Sequence, residues 1–302
     1  MARLVVVTQH ADLLLPELVA SGLDILAIVA PCRKQARFAG RQRAMERFGE
    51  EHKIPVLWHE ARQTEDLLER LRAIEFDLLV VCSYPFLLSK EVLETPLCGA
   101  VNLHPSLLPK YRGPDPLYWS WLAFEREVGV TLHFMDEGMD TGDIIARRSL
   151  PVEVGARPMP ILRQLLGPMG KDLLVESLPA LLERRAAREK QPQDSPTPMA
   201  RLVPQGEILK QVRWESWTAE HAWHFLNGVV CEWRPSEDRP DEFRGLPALW
   251  RGFVWEFSDW SRDRVNAAPG AIVWAHKRWC VACSDGVVHF RRRFSWRRFL
   301  GR

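Results

Sequence analysis

Three side chains in one stretch of the sequence have the chemistry of acyl transfer: the amide of Asn102, the imidazole of His104 and the carboxylate of Asp140. Asn102 and His104 alternate with Val101 and Leu103, so on a β-strand they share one face. Asp140 stands in a Gly-bracketed turn after the next strand-like run, Val128 to Met135. An imidazole with a carboxylate nearby is a suitable base near neutral pH. An Asn amide can donate to a developing oxyanion. At the ends of neighbouring strands, the three groups can act on one carbonyl. The plainer reading is a loop histidine beside a turn-forming asparagine. It accounts for neither the shared strand face nor the second acidic loop.

The surrounding pattern supplies elements to hold these groups. Arg3 to Thr8 is a short β-branched run, and a helix-like stretch, Ala11 to Ser21, ends at Gly22. Asp24 to Ala30 is a second apolar run, followed by a basic segment, Arg33 to Arg47, and by Ile54 to Trp58. Thr64 to Ile74 reads as an amphipathic helix that Thr64 can cap. Asp77 to Cys82 and Gly99 to His104 have buried-strand patterns. Alternating strands and helices predict an α/β fold with a mostly parallel sheet. Ligands bind beyond the carboxyl ends of such strands, where this reading puts Ser83, His104 and Asp136. No Gly-x-Gly-x-x-Gly follows the first strand and no P-loop is present, which disfavours a dinucleotide cofactor.

Asp143 to Val152 reads as a further strand, and Pro158 to Arg188 as helical, broken near Gly167, Pro168 and Gly170. Gln191 to Pro198 is polar and proline-rich, so a linker is expected over 189–203 between a first domain, 1–188, and a second, 204–302. Ten of the 13 tryptophans lie beyond residue 210, and the second domain reads as a helix, Ser216 to Val229, then short strands. These are Ala248 to Phe257, Ala271 to Ala275, Trp279 to Cys283 and Val287 to Phe290, with a hairpin signal at Asp285-Gly286. A small, mostly-β, barrel-like domain is expected.

The 302-residue length and 46% apolar content are those of a folded chain of one or two domains. No apolar run is long enough for a membrane span, and the N-terminus reads as a strand, so the cytoplasm is the expected compartment. Six scattered cysteines do not suggest a disulfide framework. Residues 201–302 hold 17 Lys+Arg against 12 Asp+Glu (+5), and residues 1–200 hold 24 against 27 (−3). The basic C-terminal third permits an anionic partner without requiring one.

Taken together, Asn102-Leu103-His104, Ser106 to Gly113 (Ser-Leu-Leu-Pro-Lys-Tyr-Arg-Gly) and Asp136 to Asp143 (Asp-Glu-Gly-Met-Asp-Thr-Gly-Asp) resemble the folate-dependent formyltransferase family. The resemblance covers nearly all of the chain and is weaker at its N-terminus and in the C-terminal domain. It implies a Rossmann-like N-terminal domain and 10-formyltetrahydrofolate as formyl donor, with no metal. By position, Asn102, His104 and Asp140 match the family's catalytic triad. Asn102 and protonated His104 would stabilise the oxyanion, and Asp140 would hold His104 and assist proton transfer. The same resemblance puts the folate between Tyr84, Phe86, Leu87 and Leu88 on one loop and Met135, Gly138 and Met139 on the other. It puts the acceptor near Tyr111, Arg112, Gly113 and Asp115.

The acceptor divides the family. Arg37 to Arg41 resembles the basic loop of the branch acting on tRNA. Pro269 to Val273 and Ser284 to Gly286 resemble turns of that branch's second domain. Against this, Thr8-Gln9-His10 replaces its Gly-Thr-Pro, and Asn227 to Trp233 stands near its missing Asn-Pro-Trp-Pro. Tyr111 to Gly113 with Tyr118-Trp119 is closer to the sugar N-formyltransferases, and Thr131 to Phe134 to those and the glycinamide ribonucleotide enzymes. A small-molecule amine is therefore the expected acceptor, with tRNA as the alternative and hydrolysis of the formyl donor as a third reading. Three further features carry less. Cys280-x-x-Cys283 has no second pair to complete a metal site. His221 and His224 share a helix face without a third ligand. The basic tail Arg291 to Arg298 suits an anionic partner, a solvated end or a dimer contact equally.

Overall fold

The computed structural model describes residues 2–32, 39–60, 64–204, 207–233 and 253–294. Two compact units emerge: Met1–Pro116 with Glu127–Leu150 and Ile161–Arg201, and Leu117–Arg126 with Pro151–Pro160 and Leu202–Arg302.

The first unit is a seven-stranded sheet. Its strands are β1 (Arg3–Thr8), β2 (Asp24–Pro31), β3 (Val56–His59), β4 (Leu78–Cys82), β5 (Ala100–His104), β6 (Glu127–Phe134) and β7 (Ile144–Pro151), in the order β3-β2-β1-β4-β5-β6-β7. The first five are parallel, as the alternation of strands and helices predicts. The central strands β1 and β4 are buried almost throughout, which explains their unbroken apolar sequences. Helices α1 (Leu15–Ala20), α2 (Ala39–His52), α3 (Thr64–Arg72) and α4 (Lys90–Leu93) intervene, and α5 (Pro116–Leu122) follows β5. In α3, Leu67 and Leu71 are buried one turn apart, with Glu65 and Asp66 in its first turn and Arg70 and Arg72 in its last, matching the helix dipole. Helix α1 starts later than its sequence pattern suggests, at Leu15, with Pro16 in its first turn, where a missing N–H costs nothing.

The sheet is mostly parallel as expected, but the placing of Asp136 beside His104 at one edge of it fails. Strand β6 runs antiparallel to β5, pairing Val101 with Phe134 and His104 with Thr131. Its carboxyl end, and so Asp136, lies level with the amino end of β5. Only the loop from Met135 to Asp143, closed at its base by Phe134 N–H to Asp143 O (2.9 Å), brings Asp140 back over β5.

The helical stretch beyond β7 breaks where glycine and proline predict. Helices α6 (Pro158–Gln164) and α7 (Gly170–Leu182) flank a wide turn in which Gly167 leaves the helical region (φ −84°, ψ −105°) and Pro168 cannot donate. The expected linker does not run free. Ser195 Oγ donates to Pro109 O (2.9 Å), Thr197 Oγ1 accepts from Tyr111 N–H (2.6 Å) and Ala200 N–H donates to Arg112 O (2.8 Å), so the segment packs on the first unit.

The second unit takes in two stretches the sequence reading gave to the first, Leu117–Arg126 and Pro151–Pro160. Here α8 (Ala219–Phe225) is capped by Thr218, whose side chain accepts from His221 N–H (3.1 Å). Four antiparallel strands, β8 (Phe253–Ser261), β9 (Ile272–Ala275), β10 (Arg278–Ala282) and β11 (Val287–Phe294), form a sheet in the order β8-β11-β10-β9. The Asp285-Gly286 turn joins β10 to β11, with Ala282 opposite Val287. Trp217 stacks on His221 (3.8 Å), while Trp274 is 61% exposed beside Trp279. Residues 33–38, 248–252 and 295–298, parts of the basic segment, a predicted strand and the basic tail, lie outside the described residues.

Candidate active site

Asp140 is the hub of the site. Its Oδ1 accepts from Asn102 Nδ2 (3.2 Å) and lies 3.7 Å from His133 Nε2; its Oδ2 accepts from the Gly113 N–H (2.8 Å) and lies 3.5 Å from His104 Nδ1. The three residues singled out by type and spacing thus converge on one carboxylate. Asp140 adopts a left-handed backbone (φ 56°), a conformation Asp tolerates. Asp136 shapes the approach: its Oδ1 accepts from Gly138 N–H (3.0 Å) and Thr141 Oγ1 (2.6 Å). Gly142 is obligatory, because a Cβ there would meet Phe134 O at 1.9 Å.

His104 is enclosed. Nε2 faces the carbonyl of Tyr111 at 3.0 Å, which can only accept, so Nε2 carries the proton and Nδ1 is the atom turned to Asp140. The left-handed backbone at Tyr111 (φ 58°) belongs to the turn that presents this carbonyl. Thr131, opposite His104 on β6, braces the same loop: its hydroxyl donates to Ser106 O (2.6 Å) and accepts from Leu108 N–H (3.1 Å).

The electrostatics follow from burial and company. Burial pushes His104 below the usual histidine value; Asp140 pulls the other way, His133 adds to the fall, and the Tyr111 carbonyl opposes it. Burial also opposes the charge on Asp140. His104, His133 and the Gly113 N–H outweigh it and hold the carboxyl well below the usual range. At neutral pH these shifts favour a carboxylate beside a neutral imidazole before reaction.

The sequence reading missed His133 as part of the site. It pairs with Asn102 across β5 and β6. Its Nδ1 faces Phe134 O (2.8 Å) and therefore bears the proton, leaving Nε2 to accept from Asn102 Nδ2 (3.1 Å). Both hydrogens of the Asn102 amide are thus engaged, one by His133 and one by Asp140. A polar residue inside an apolar strand was the available signal; the register that makes it meaningful was not.

The predicted acceptor residues divide. Tyr111 and Gly113 touch the site through backbone groups. Arg112 does not face it. Its buried guanidinium donates to Gln191 Oε1 (3.1 and 2.9 Å), Pro192 O (2.8 Å) and Gln193 O (3.1 Å). Asp115 is buried, with its N–H on Ala200 O (2.9 Å).

The predicted folate loops divide as well. Leu88 is core, with Tyr84 and Met135 packed against the same cluster. Tyr84 OH lies 2.5 Å from His59 Nδ1, and Phe86 stands edge-on to both rings. Leu87 (71% exposed) and Met139 (36% exposed) offer apolar surface to solvent, suited to a flat ring, with Gly138 beside Met139. Among the described residues no cluster of three or more His, Cys, Asp or Glu could hold a metal ion, and no helix is long and apolar enough to cross a membrane. Cys280 and Cys283 are buried free thiols, and burial pushes Cys283 up to about 12.

A family model described as formyl transferase matches residues 6–165. A methionyl-tRNA formyltransferase of Halorhodospira halophila is 38% identical over 198 residues, covering 62% of this chain and 63% of that protein. Another, from Syntrophus aciditrophicus, is 34% identical over 231 residues, covering 71% and 72%. Among solved structures, an N-formyltransferase from Helicobacter canadensis in complex with folinic acid and dTDP-3-aminofucose has a TM-score of 0.65 at 15% identity. The match covers 97% of this chain and 100% of that one. At that identity the likeness is one of fold.

Proposed function

The chain belongs to the formyl transferase family, and we propose that it moves a formyl group from 10-formyltetrahydrofolate to a primary amine of a small molecule. The observation that carries the reaction is the convergence of Asn102, His104 and His133 on the Asp140 carboxylate within 3.7 Å.

The donor carries the formyl carbon that the amine attacks. Leu87 and Met139 fit its flat ring, and backbone groups of the same loops suit the ring's polar edge. As the amine adds to the formyl carbon, Asn102 turns one amide hydrogen to the formyl oxygen. It gives up the longer of its two bonds, the 3.2 Å bond to Asp140. His133 keeps the amide oriented through the other hydrogen. The amine's proton passes through the Asp140 edge of the site to His104 Nδ1, which is neutral at rest, and the imidazolium formed lies 3.5 Å from the carboxylate. That proton then leaves for the departing folate nitrogen.

A small acceptor is favoured by the departures from the tRNA branch at Thr8-Gln9-His10 and Asn227 to Trp233. The tRNA reading stands as the second, favoured by the names of the curated relatives. Tetrahydrofolate release from 10-formyltetrahydrofolate, measured with amino-sugar nucleotides, with charged initiator tRNA and with no amine, separates the readings. Release dependent on a small amine is expected. Release only with tRNA, or at full rate with no amine, overturns the small-acceptor reading. Asn102→Ala should lower turnover by about 10²–10³; near-normal turnover in the folded variant would remove the oxyanion role.

A further inference from the structure

The proline-rich segment after α7 touches both catalytic loops, and one side chain ties them together. Gln191 Nε2 donates to the backbone carbonyls of Asp140 (3.0 Å) and Gly142 (2.7 Å). Gln191 Oε1 accepts from Arg112 Nε and Arg112 Nη2. Arg112 lies between Tyr111, whose carbonyl faces His104 Nε2, and Gly113, whose N–H donates to Asp140 Oδ2. One primary amide therefore links the loop carrying Asp140 to the loop whose backbone orients both His104 and Asp140.

We propose that Gln191, gripped by Arg112, is a positioning residue that fixes the Asp140 carboxylate against His104. Three features separate this role from ordinary packing. The Arg112 guanidinium is buried and donates to Gln191, Pro192 and Gln193 in turn, so it acts as a clamp. Its planar fork grips Gln191 Oε1 through two nitrogens, which fixes the direction of the amide. The other end of that amide holds the main chain of the carboxylate-bearing residue itself. No further residue intervenes between clamp and site. Arg112 thus acts on acceptor chemistry through Asp140 instead of by touching the acceptor.

The groups facing His104 are Asp140, His133 and the Tyr111 carbonyl; those facing Asp140 are His104, His133, Asn102 and the Gly113 N–H. If Gln191 sets the spacing, its loss lets the carboxylate drift from the imidazole, and His104 then titrates at lower pH. The test is an NMR titration of full-length protein labelled at histidine Cε1, with the His104 signal assigned by its absence in His104→Asn. Asp140→Asn calibrates the full effect of removing the carboxylate charge. Gln191→Met, which keeps side-chain length but has neither donor nor amide oxygen, should lower the His104 midpoint by at least about half the calibrated shift, with a misplacement cost of about ten- to a hundredfold in turnover. A folded Gln191→Met protein with wild-type His104 titration overturns the proposal.

If Gln191→Met does not fold, Gln191→Glu carries the test, since its carboxylate keeps Arg112 as partner but has no N–H for the two carbonyls. Its readout is the Gly113 amide proton, which should move upfield as its bond to Asp140 lengthens; an unmoved signal overturns the proposal. The inference rests on the reading of Asp140 and His104 as the reacting pair. That reading fails separately, if Asp140→Asn releases tetrahydrofolate at the wild-type rate.

Discussion

Replacing Asp140 by asparagine removes a charge and reverses one polar group while leaving shape almost unchanged. In the native site Oδ1 accepts from Asn102 Nδ2 and Oδ2 from the Gly113 N–H, with His104 Nδ1 at 3.5 Å and His133 Nε2 at 3.7 Å. An asparagine can accept at one position only. At the other its NH2 meets a donor. One charge-assisted hydrogen bond is lost, about 1.5–3 kcal/mol, and the second weakens to a neutral bond of about 1 kcal/mol. The expected destabilisation at pH 7 is about 2–5 kcal/mol, or roughly 4–20 °C in thermal midpoint for a unit of this size. The pH dependence gives the sign. Asp140 in the fold titrates well below its unfolded value, so its contribution is complete above the unfolded carboxylate pKa of about 4 and is lost as pH falls toward the folded one. Wild type and Asp140→Asn should therefore converge in acid. Urea unfolding followed at pH 7, 5 and 3.5 measures the gap. An Asp140→Asn protein as stable as wild type at pH 7, or a gap that widens in acid, would refute the account of a carboxylate stabilised by its neighbours.

Gly113→Ala should act through geometry alone. With φ at 120° and a would-be Cβ 3.0 Å from Ala200 O, the alanine strains the backbone by about 1–3 kcal/mol and moves the N–H off Asp140, so a clear loss of thermal stability and turnover is expected together. In the second unit His224 is fully buried, its Nδ1 accepts from Gly155 N–H (3.0 Å), and burial pushes its pKa down to about 4. Held neutral, it contributes stability above its unfolded pKa of about 6.5 that is lost as pH falls toward about 4. Tryptophan-monitored melts at pH 7 and 5 should show acid sensitivity in wild type and less in His224→Phe.

Local pattern made the parallel half of the sheet legible, because strands buried on both faces leave unbroken apolar runs, as in β1 and β4. The shared face of Asn102 and His104 was legible for the same reason: period two is a property of the strand alone. What pairs with that strand is not local. The antiparallel setting of β6 decides that His133 meets Asn102 and that Asp136 begins at the far end of β5, and no periodicity encodes it. Arg112 was misjudged differently. A long cationic side chain in a functional loop can reach outward to an anion or inward to carbonyls, and only the folded position of residues 191–193 selects the second. Those residues read as a linker because the segment is polar and proline-rich. Yet Pro192 contributes through its carbonyl, and Gln191, Ser195 and Thr197 contribute through side chains, so a segment poor in backbone donors can still be firmly attached.

In the proposed mechanism, the two acidities in the site determine where a proton can rest. A carboxylate that already accepts from the Asn102 amide and the Gly113 N–H, and is held well below its usual acidity range, is too weak a base to take a proton from an amine adding to a formyl carbon. A buried imidazole with its pKa pushed down is a poor cation alone, but protonating it at Nδ1 converts a carboxylate beside a neutral ring into a close ion pair. The same burial that disfavours an isolated charge strengthens the pair once both charges exist. In that mechanism Asp140 contributes most when His104 is charged, as the amine's proton is in transit. That is the condition for lowering a barrier rather than deepening a ground state. It also explains why main-chain groups of Gly113 and Tyr111 and the side-chain amide of Gln191 all fix the spacing of two side chains: the interaction that must strengthen along the reaction is the one most sensitive to their separation.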